Sequence, residues 1–216
     1  MIPLLAIETS GELCSVALLK TEKNFYEVNI AEKNVHSEKL MLAVENLLEL
    51  SETELKNLKA IAVSVGPGSF TGLRIGMSAA KGLAFGSGLP IVPVKTFHAL
   101  ALEISKYLPV NTVFIIANIL NTTEIFFTKF KKKDDFGYDV ITDVTVINKS
   151  EFEKYRNENE IVFGNYLENN TGIFLPVPSA KFVAEWAYIF GKDLLTYNFD
   201  YMEPDYIKKF IPRKGQ

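Results

Sequence analysis

The sequence predicts an α/β protein of two lobes, each built on a mixed sheet whose first three strands form a meander. Within residues 1–30, short apolar segments alternate with short polar turns, which is typical of consecutive antiparallel strands. The same order returns over residues 112–147. In both halves the meander is followed by a helix and a further strand, and this weak repeat predicts two similar lobes around a cleft.

Composition narrows the class of protein. The chain has 216 residues, a formal net charge of −3, 48% hydrophobic and 23% charged residues. No basic surplus is present to support strong unaided binding to nucleic acid. No apolar run approaches the ~18 residues of a membrane span, and a start lacking a basic segment predicts no signal peptide. The single Cys14 excludes an internal disulfide, so we expect a soluble cytoplasmic protein.

The first lobe begins with predicted strands at 3–7, 14–19 and 25–30. Apolar residues at helical spacing predict a helix over 37–50, with Ser37 as N-cap and acidic first-turn character from the next residue. The helix also carries more apolar residues than one stripe needs, so we expect it to have two buried sides.

A connecting helix at 51–58 then leads to a buried strand at 60–65, which a Gly-Pro-Gly turn ends. A helix follows over 70–86, capped by Ser69 or Thr71. A strand at 90–94 and a helix at 96–107 complete the lobe.

Small residues recur every four positions in the helix over 70–86, at Gly72, Gly76 and Ala80. Each interior glycine costs about 1 kcal/mol of helix propensity relative to alanine, so this face is expected to serve close packing. Two surfaces could meet it: the protein's own sheet, or a helix of a partner.

The second lobe is less regular. Predicted elements are strands at 112–117, 124–130, 138–147 and 160–164, a solvent-facing charged turn at 131–135, a polar helical segment at 149–159 and an aromatic-rich helix at 181–190. We place one lobe at 1–100 and the other at 101–216, with the terminal segment packing back on the first. The basic tail residues are interpreted as solvated or as touching RNA held by a partner; they are Lys208, Lys209, Arg213 and Lys214.

The turn between the first two strands reads Glu8, Thr9, Ser10 and Gly11. An acid and two hydroxyls in such a turn fit either an ordinary hairpin or a residual phosphate-facing loop of a nucleotide-binding fold.

Catalytic motifs are not visible. The glycine-rich loop at 66–72 precedes a helix and could cradle an anion, but it is neither a Walker A loop nor a dinucleotide fingerprint. No nucleophile elbow is present. His36 and His98 are isolated, and no spacing predicts a metal site or a pair of catalytic carboxylates.

Several sequence blocks nevertheless resemble the TsaB (YeaZ) family. The blocks are LLAIETS at 4–10, CSVAL at 14–18, HSEKL at 36–40, GPGSFTGLRIG at 66–76 and AKGLA at 80–84. Their order and spacing agree with the family over residues 1–100, and the block at 66–76 is highly specific. The second lobe matches loosely: Asn118 begins a segment where the family often has Asp-Ala-Arg, and EPDYIK at 203–208 resembles Pro-x-Tyr-Leu-Arg.

The resemblance implies an actin-like two-lobe fold and a non-catalytic scaffold that is required for N6-threonylcarbamoyladenosine at position 37 of ANN-decoding tRNAs. It implies a heterodimer with a TsaD-type paralogue that performs the transfer, support from a TsaE-type ATPase, and a homodimer when the protein is alone. It further implies contact with tRNA only through the complex, no membrane association and no metal. No tightly bound cofactor is expected, with ATP or ADP present only in the complex.

The resemblance also implies pairing through the helices at 37–50 and 70–86. The expected interface residues are Leu40, Met41, Val44, Gly72, Leu73, Arg74, Gly76, Met77, Ala80 and Lys81. On this hypothesis a bulky residue at Gly76 weakens association. The alternative function is a nucleotide-binding module, kinase or glycoprotease-like hydrolase of the same fold.

Overall fold

The computed structural model describes residues 1–134, 137–167 and 172–207. Two five-stranded mixed sheets form the centre of the molecule. Sheet 1 contains β1 (Leu4–Glu8), β2 (Leu13–Leu19), β3 (Phe25–Ala31), β4 (Ala60–Gly66) and β5 (Ile91–Lys95). Sheet 2 contains β6 (Val113–Ile119), β7 (Glu124–Asp134), β8 (Gly137–Asn148), β9 (Ile161–Gly164) and β10 (Ile173–Phe174).

The two sheets share one topology. Sheet 1 has the order β3-β2-β1-β4-β5 and sheet 2 the order β10-β9-β6-β7-β8. In each, the first three strands pair antiparallel and the first strand also pairs parallel with the fourth. Strands β1 and β4 are buried along their whole length, as their continuous apolar runs indicate. The predicted α/β fold of two lobes, each a mixed sheet with a three-strand meander, is confirmed.

Helices cover both faces of sheet 1. The helices are α1 (His36–Leu50), α2 (Phe70–Ser87), α3 (Thr96–Ser105), α4 (Phe152–Tyr155) and α5 (Ala180–Phe190). One core joins α1 and α2 to sheet 1, and a second joins α5 to its opposite face. Short 3-10 turns lie at Leu55–Asn57, Lys149–Glu151 and Lys192–Leu194. None of the helices in these ranges combines the length and apolarity that a bilayer crossing requires.

Helix α3 belongs to both lobes. Its residue Ala99 packs in the core beneath α5, whereas Phe97 and Leu100 pack in the core of sheet 2. The boundary placed at residues 100/101 therefore falls inside a helix rather than in a linker.

The helices α1 and α2 are capped at their N-termini in different ways. The Ser69 hydroxyl accepts a hydrogen bond from Gly72 N, so the predicted cap of α2 is confirmed. The prediction of Ser37 as the α1 cap is wrong: the capping position is Val35, whose carbonyl accepts the first helical bonds, and no side chain caps the helix. The buried His36 ring lies 3.3 Å from Leu13 O and places the helix start one residue earlier.

The predicted charged turn at 131–135 is also wrong. Strand β7 continues to Asp134, with Lys131 paired to Asp139 and Lys132 to Tyr138 in β8. Cross-strand pairing thus overrides the low strand propensity of lysine. The basic tail residues Lys208, Lys209, Arg213 and Lys214 lie outside the described residues, as does Asp135.

Candidate functional site

The turn after β1 is packed directly against the start of α2. Thr9 Oγ1 donates a hydrogen bond of 2.8 Å to Gly72 O, and Ser69 N donates one of 2.6 Å to Ser10 O. A Cβ atom at Gly72 would lie 2.0 Å from Thr9 O, and one at Gly68 would lie 2.4 Å from Ser10 O. Glycine is required at both positions because the two backbones are in direct contact. The protein's own chain therefore fills the space between this turn and the first turn of α2.

The stripe of small residues on α2 faces the turn after β1 and sheet 1. A Cβ at Gly76 would lie 2.3 Å from Thr9 Oγ1 and 3.5 Å from Ile7 Cγ2, and Ala80 is fully buried in the core of sheet 1. Of the two surfaces considered for this stripe, the protein's own sheet is the one it contacts. The prediction that a partner helix enters a Gly72–Gly76–Ala80 groove is wrong.

Only part of the expected interface is at the surface. The buried members are Leu40, Val44, Gly72, Leu73, Gly76, Met77 and Ala80. Met41 and Arg74 are exposed and Lys81 is partly exposed. The expected interface set therefore combined residues from the buried faces of α1 and α2 with residues from their solvent-exposed faces.

Large apolar side chains stand on the outer faces of α1 and α2. Met41, an expected interface residue, is 48% exposed; Phe85, which is outside the expected set, is 83% exposed, and Leu42, Leu50 and Phe70 are also exposed. The outer side of α2 is smooth beside Phe85, since nothing lies within 4 Å of a Cβ built at Gly82 or Gly86. We call the exposed faces of these two helices the outer helical face. The sequence feature that indicates this face is Phe85, an aromatic residue that stands between Gly82 and Gly86.

A pair of hydrogen bonds holds the buried carboxylate of Glu8 at the end of β1. Ser10 N donates to one oxygen at 2.5 Å, and the Ser64 hydroxyl donates to the other. Burial raises the pKa of Glu8 to about 7, and the bonds from Ser10 and Ser64 oppose that rise. The carboxylate serves to join β1, β4 and the following turn.

The two lobes enclose a cleft of about 900 Å³. Most of its lining is apolar, with Phe70 and Val177 among the apolar residues and Lys33 among the charged ones. Of the four residues predicted for a phosphate loop, Ser10 and Gly11 line this cleft. The buried Ser10 hydroxyl has no hydrogen-bond partner among the described residues.

Asn118 closes one wall of the cleft. Its amide donates to Pro176 O at 2.5 Å and its oxygen accepts from Asn165 N at 2.9 Å. Asn165 Oδ1 in turn accepts from Ile119 N at 2.6 Å. The segment that departs from the family pattern is thus used for structure.

The two histidines occupy separate places in the fold. His98 Nδ1 lies 3.1 Å from the Tyr138 hydroxyl, and burial lowers its pKa to about 4. His36 faces a carbonyl of β2. Across residues 1–134, 137–167 and 172–207, no three His, Cys, Asp or Glu side chains are grouped so as to hold a metal ion.

Comparisons with known proteins agree with this architecture. Residues 29–117 match the family model described as TsaD, tRNA N6-adenosine threonylcarbamoyltransferase. The chain is 29% identical to the tRNA threonylcarbamoyladenosine biosynthesis protein TsaB of Haemophilus influenzae, over 98% of this chain and 95% of that protein. It is 41% identical to TsaB of Escherichia coli K12 over 100 residues, which is 45% of this chain and 42% of that protein.

Two solved structures from Pseudomonas aeruginosa have the same fold. One, described as an uncharacterized protein with similarity to peptidase YEAZ, superposes with a TM-score of 0.81 at 22% identity, covering 96% of this chain and all of that one. The other, YeaZ, has a TM-score of 0.71 at 24% identity, covering 86% and 91%. The sequence blocks of the first lobe, the alignment with TsaB across nearly both whole chains, and the shared fold agree with one another: the chain is similar to proteins of the TsaB (YeaZ) family.

Proposed function

We propose that this protein takes part in the formation of N6-threonylcarbamoyladenosine in ANN-decoding tRNAs, as a scaffold that binds and activates a TsaD-type transferase. The exposed apolar face of α1 and α2 carries the proposal. Phe85, at 83% exposure, is a large apolar side chain left in water by the isolated chain. Exposed apolar surface of this kind is characteristic of protein interfaces.

A non-catalytic role is supported by what occupies the turn after β1. In place of a free anion cradle, Thr9 and Ser10 are bonded to the first turn of α2, and the Glu8 carboxylate is engaged by Ser10 and Ser64. The Thr9 hydroxyl, the Ser10 backbone and the Glu8 carboxylate are thus engaged in holding the end of β1 against β4 and α2. The transfer chemistry would then belong to the paralogue, with a TsaE-type ATPase as a further partner and tRNA bound only through the complex.

The outer helical face also accounts for a homodimer of the protein alone, since the same apolar patch can meet a second copy. Met41, Arg74 and Lys81 remain in the proposed interface, and the exposed Phe85 is added to them. The buried members of the expected set would support the interface from beneath by fixing the positions of α1 and α2.

A charge-introducing variant tests this proposal. Phe85→Glu leaves the core unchanged and is expected to weaken binding to the TsaD paralogue at least tenfold, since a hot-spot aromatic is worth about 2 kcal/mol or more. The matched control is Tyr197→Glu, which alters a comparably exposed aromatic (72%) outside α1 and α2. Calorimetry with the purified paralogue measures both. Equal affinity of the two variants would contradict an interface on this face.

The second candidate, a nucleotide-binding module, is favoured by one observation. Ser10, whose buried hydroxyl has no hydrogen-bond partner among the described residues, lines the cleft together with Gly11 and Ser69, which precedes α2. On the scaffold proposal, ATP or ADP is held only in the complex. Calorimetry with ATP and ADP on the protein alone separates the two, because binding and turnover by the isolated chain would favour the module, kinase or hydrolase. With this proposed role in tRNA modification, we expect the protein to be localised in the cytoplasm.

A further inference from the structure

The cleft between the lobes is lined by aromatic and aliphatic side chains from distant segments of the chain. Phe97 and Phe126 line it from the core of sheet 2, where their ring centroids lie 6.3 Å apart in an edge-to-face arrangement. Leu120 and Leu175 also line it and pack against the same core. Phe174 of β10 lines it and is 70% exposed. A mostly apolar lining around about 900 Å³ is characteristic of small-molecule sites.

The charged groups of the cleft do not favour a phosphate. Among the described residues that line it, the charged ones are Glu12, Glu32 and Lys33. Lys33 Nζ is already paired with a Glu12 carboxylate oxygen at 3.1 Å, so Glu32 leaves this set with a net negative charge. Phosphate groups are normally bound by uncompensated cations or by free N–H donors. An anion therefore meets repulsion in this lining, whereas an uncharged molecule does not.

The start of α2, which would otherwise attract an anion, is already engaged by the protein's own chain. Ser69 N donates to Ser10 O, and Gly72 N donates to the Ser69 hydroxyl. A Cβ at Gly68 would lie 2.4 Å from Ser10 O, so the two backbones are in direct contact there. These contacts occupy donors and space that an oxyanion would need at a helix N-terminus.

One polar side chain of the lining has a donor to offer a ligand. Asn165 Oδ1 accepts from Ile119 N, but Asn165 Nδ2 makes no hydrogen bond within the described ranges. Asn118, by contrast, uses both its amide nitrogen and its oxygen within the protein. The lining thus offers aromatic rings, one free amide donor and no uncompensated cation among its described residues.

We propose that the cleft binds an uncharged aromatic small molecule with one hydrogen-bond acceptor. Its rings would pack among Phe97, Phe126 and Phe174, because aromatic rings favour edge-to-face and offset contacts with one another. Its acceptor would bond to Asn165 Nδ2. This binding function goes beyond the scaffold role and does not depend on it.

Naphthol and naphthyl phosphate are matched probes, because they share a ring system and differ in charge. Each is titrated into the full chain at neutral pH by calorimetry. Naphthol is expected to bind, and naphthyl phosphate at least about tenfold more weakly, since burying a charge without a counter-ion is costly. Glu32→Lys reverses the net charge of the described lining. It is expected to narrow the difference between the probes to about threefold or less and to leave the affinity for naphthol unchanged.

A second variant tests the aromatic contact. Phe174→Ser removes an exposed ring of the cleft and is expected to weaken naphthol binding about fivefold. The matched control is Tyr107→Ser, which removes a ring that is 79% exposed and does not line the cleft, and it should leave the affinity unchanged.

Three results would overturn the proposal. They are no binding of naphthol by the unmodified protein at millimolar concentration, binding of naphthyl phosphate as tight as that of naphthol, and equal affinity of Phe174→Ser and Tyr107→Ser for naphthol. The second result would show a phosphate site in the cleft instead. Should Phe174→Ser fail to fold, Glu32→Lys, at an exposed side chain, still decides the case, because an unchanged preference for naphthol there would contradict the electrostatic selection.

Discussion

Glu8 gives the protein a dependence of stability on pH. Its folded pKa of about 7 lies above the ordinary value of 4.5, so the folded state retains a proton that the unfolded state has lost over this interval. The contribution of Glu8 to the free energy of unfolding should therefore fall as pH rises from about 5 to about 7. Glu103, whose pKa burial also raises to about 7, adds a contribution of the same sign.

In the variant Glu8→Gln, the pH-dependent change in the free energy of unfolding should be smaller by about 3 kcal/mol. This value corresponds to the pKa shift of Glu8. Urea unfolding between pH 5 and 8 measures it. Glu12→Gln, which changes an exposed carboxylate in the turn between β1 and β2, is the control and should behave as the unmodified protein does. An unfolding free energy that rises with pH in the unmodified protein would contradict a neutral, buried Glu8.

The glycines of α2 separate by what surrounds them. Gly72→Ala places a methyl group against a backbone carbonyl and should destabilise the protein by about 1–3 kcal/mol or more. Gly82→Ala meets open space on the outer helical face and should stabilise the helix by up to about 1 kcal/mol. Thermal unfolding of the pair checks both signs. Stabilisation by Gly72→Ala would show that α2 does not contact the turn after β1.

Among the helices and strands, the Ser69 cap could be predicted from the sequence, whereas the outer helical face could not. The cap and the strand-turn-helix order followed from local residue types, and they were predicted correctly. Which side of α2 faces the sheet did not follow, because Gly, Ala and Met fit a buried face and a partner face equally well. Only the contact with Thr9 decides it. Likewise, nothing in the run of lysines at 131–133 indicates that β8 pairs with them.

The cap itself provides a test. Ser69→Ala removes the acceptor for Gly72 N and should cost about 1 kcal/mol of stability. Ser37→Ala, at the position wrongly predicted to cap α1, should change stability far less, because the Ser37 side chain does not cap this helix. Equal losses in urea unfolding would contradict the assigned helix starts.

At the scale of the whole molecule, the lobes are joined through Tyr138 of β8. Its hydroxyl accepts from Trp186 Nε1 of α5 at 2.9 Å and donates to His98 O of α3 at 3.0 Å. Tyr138→Phe leaves the Trp186 N–H without this acceptor and should cost about 1–3 kcal/mol. Tyr197→Phe, on an exposed ring, is the control. Equal melting temperatures of the two variants would mean that Tyr138 does not hold the lobes together.

The two-lobe fold could be predicted because the meander recurs in each half of the sequence. The contact that joins the lobes through Tyr138 could not be predicted. Tyr138, His98 and Trp186 come from three distant segments, and no spacing in the sequence connects them. For the same reason the boundary inside α3 could not be seen in advance: one face of that helix belongs to each lobe.

We propose that this protein is a required but non-catalytic partner in tRNA modification. The most direct measurement is a reconstitution with cognate TsaD, TsaE and the adenylate-forming enzyme, together with ATP, threonine, bicarbonate and unmodified tRNA. Modified adenosine is read by mass spectrometry with the protein, without it, and with Phe85→Glu in its place. We predict product only with the unmodified protein, a strong reduction with Phe85→Glu, and no turnover by the protein alone. Equal product in its absence would contradict the scaffold role and favour a kinase or hydrolase of the same fold.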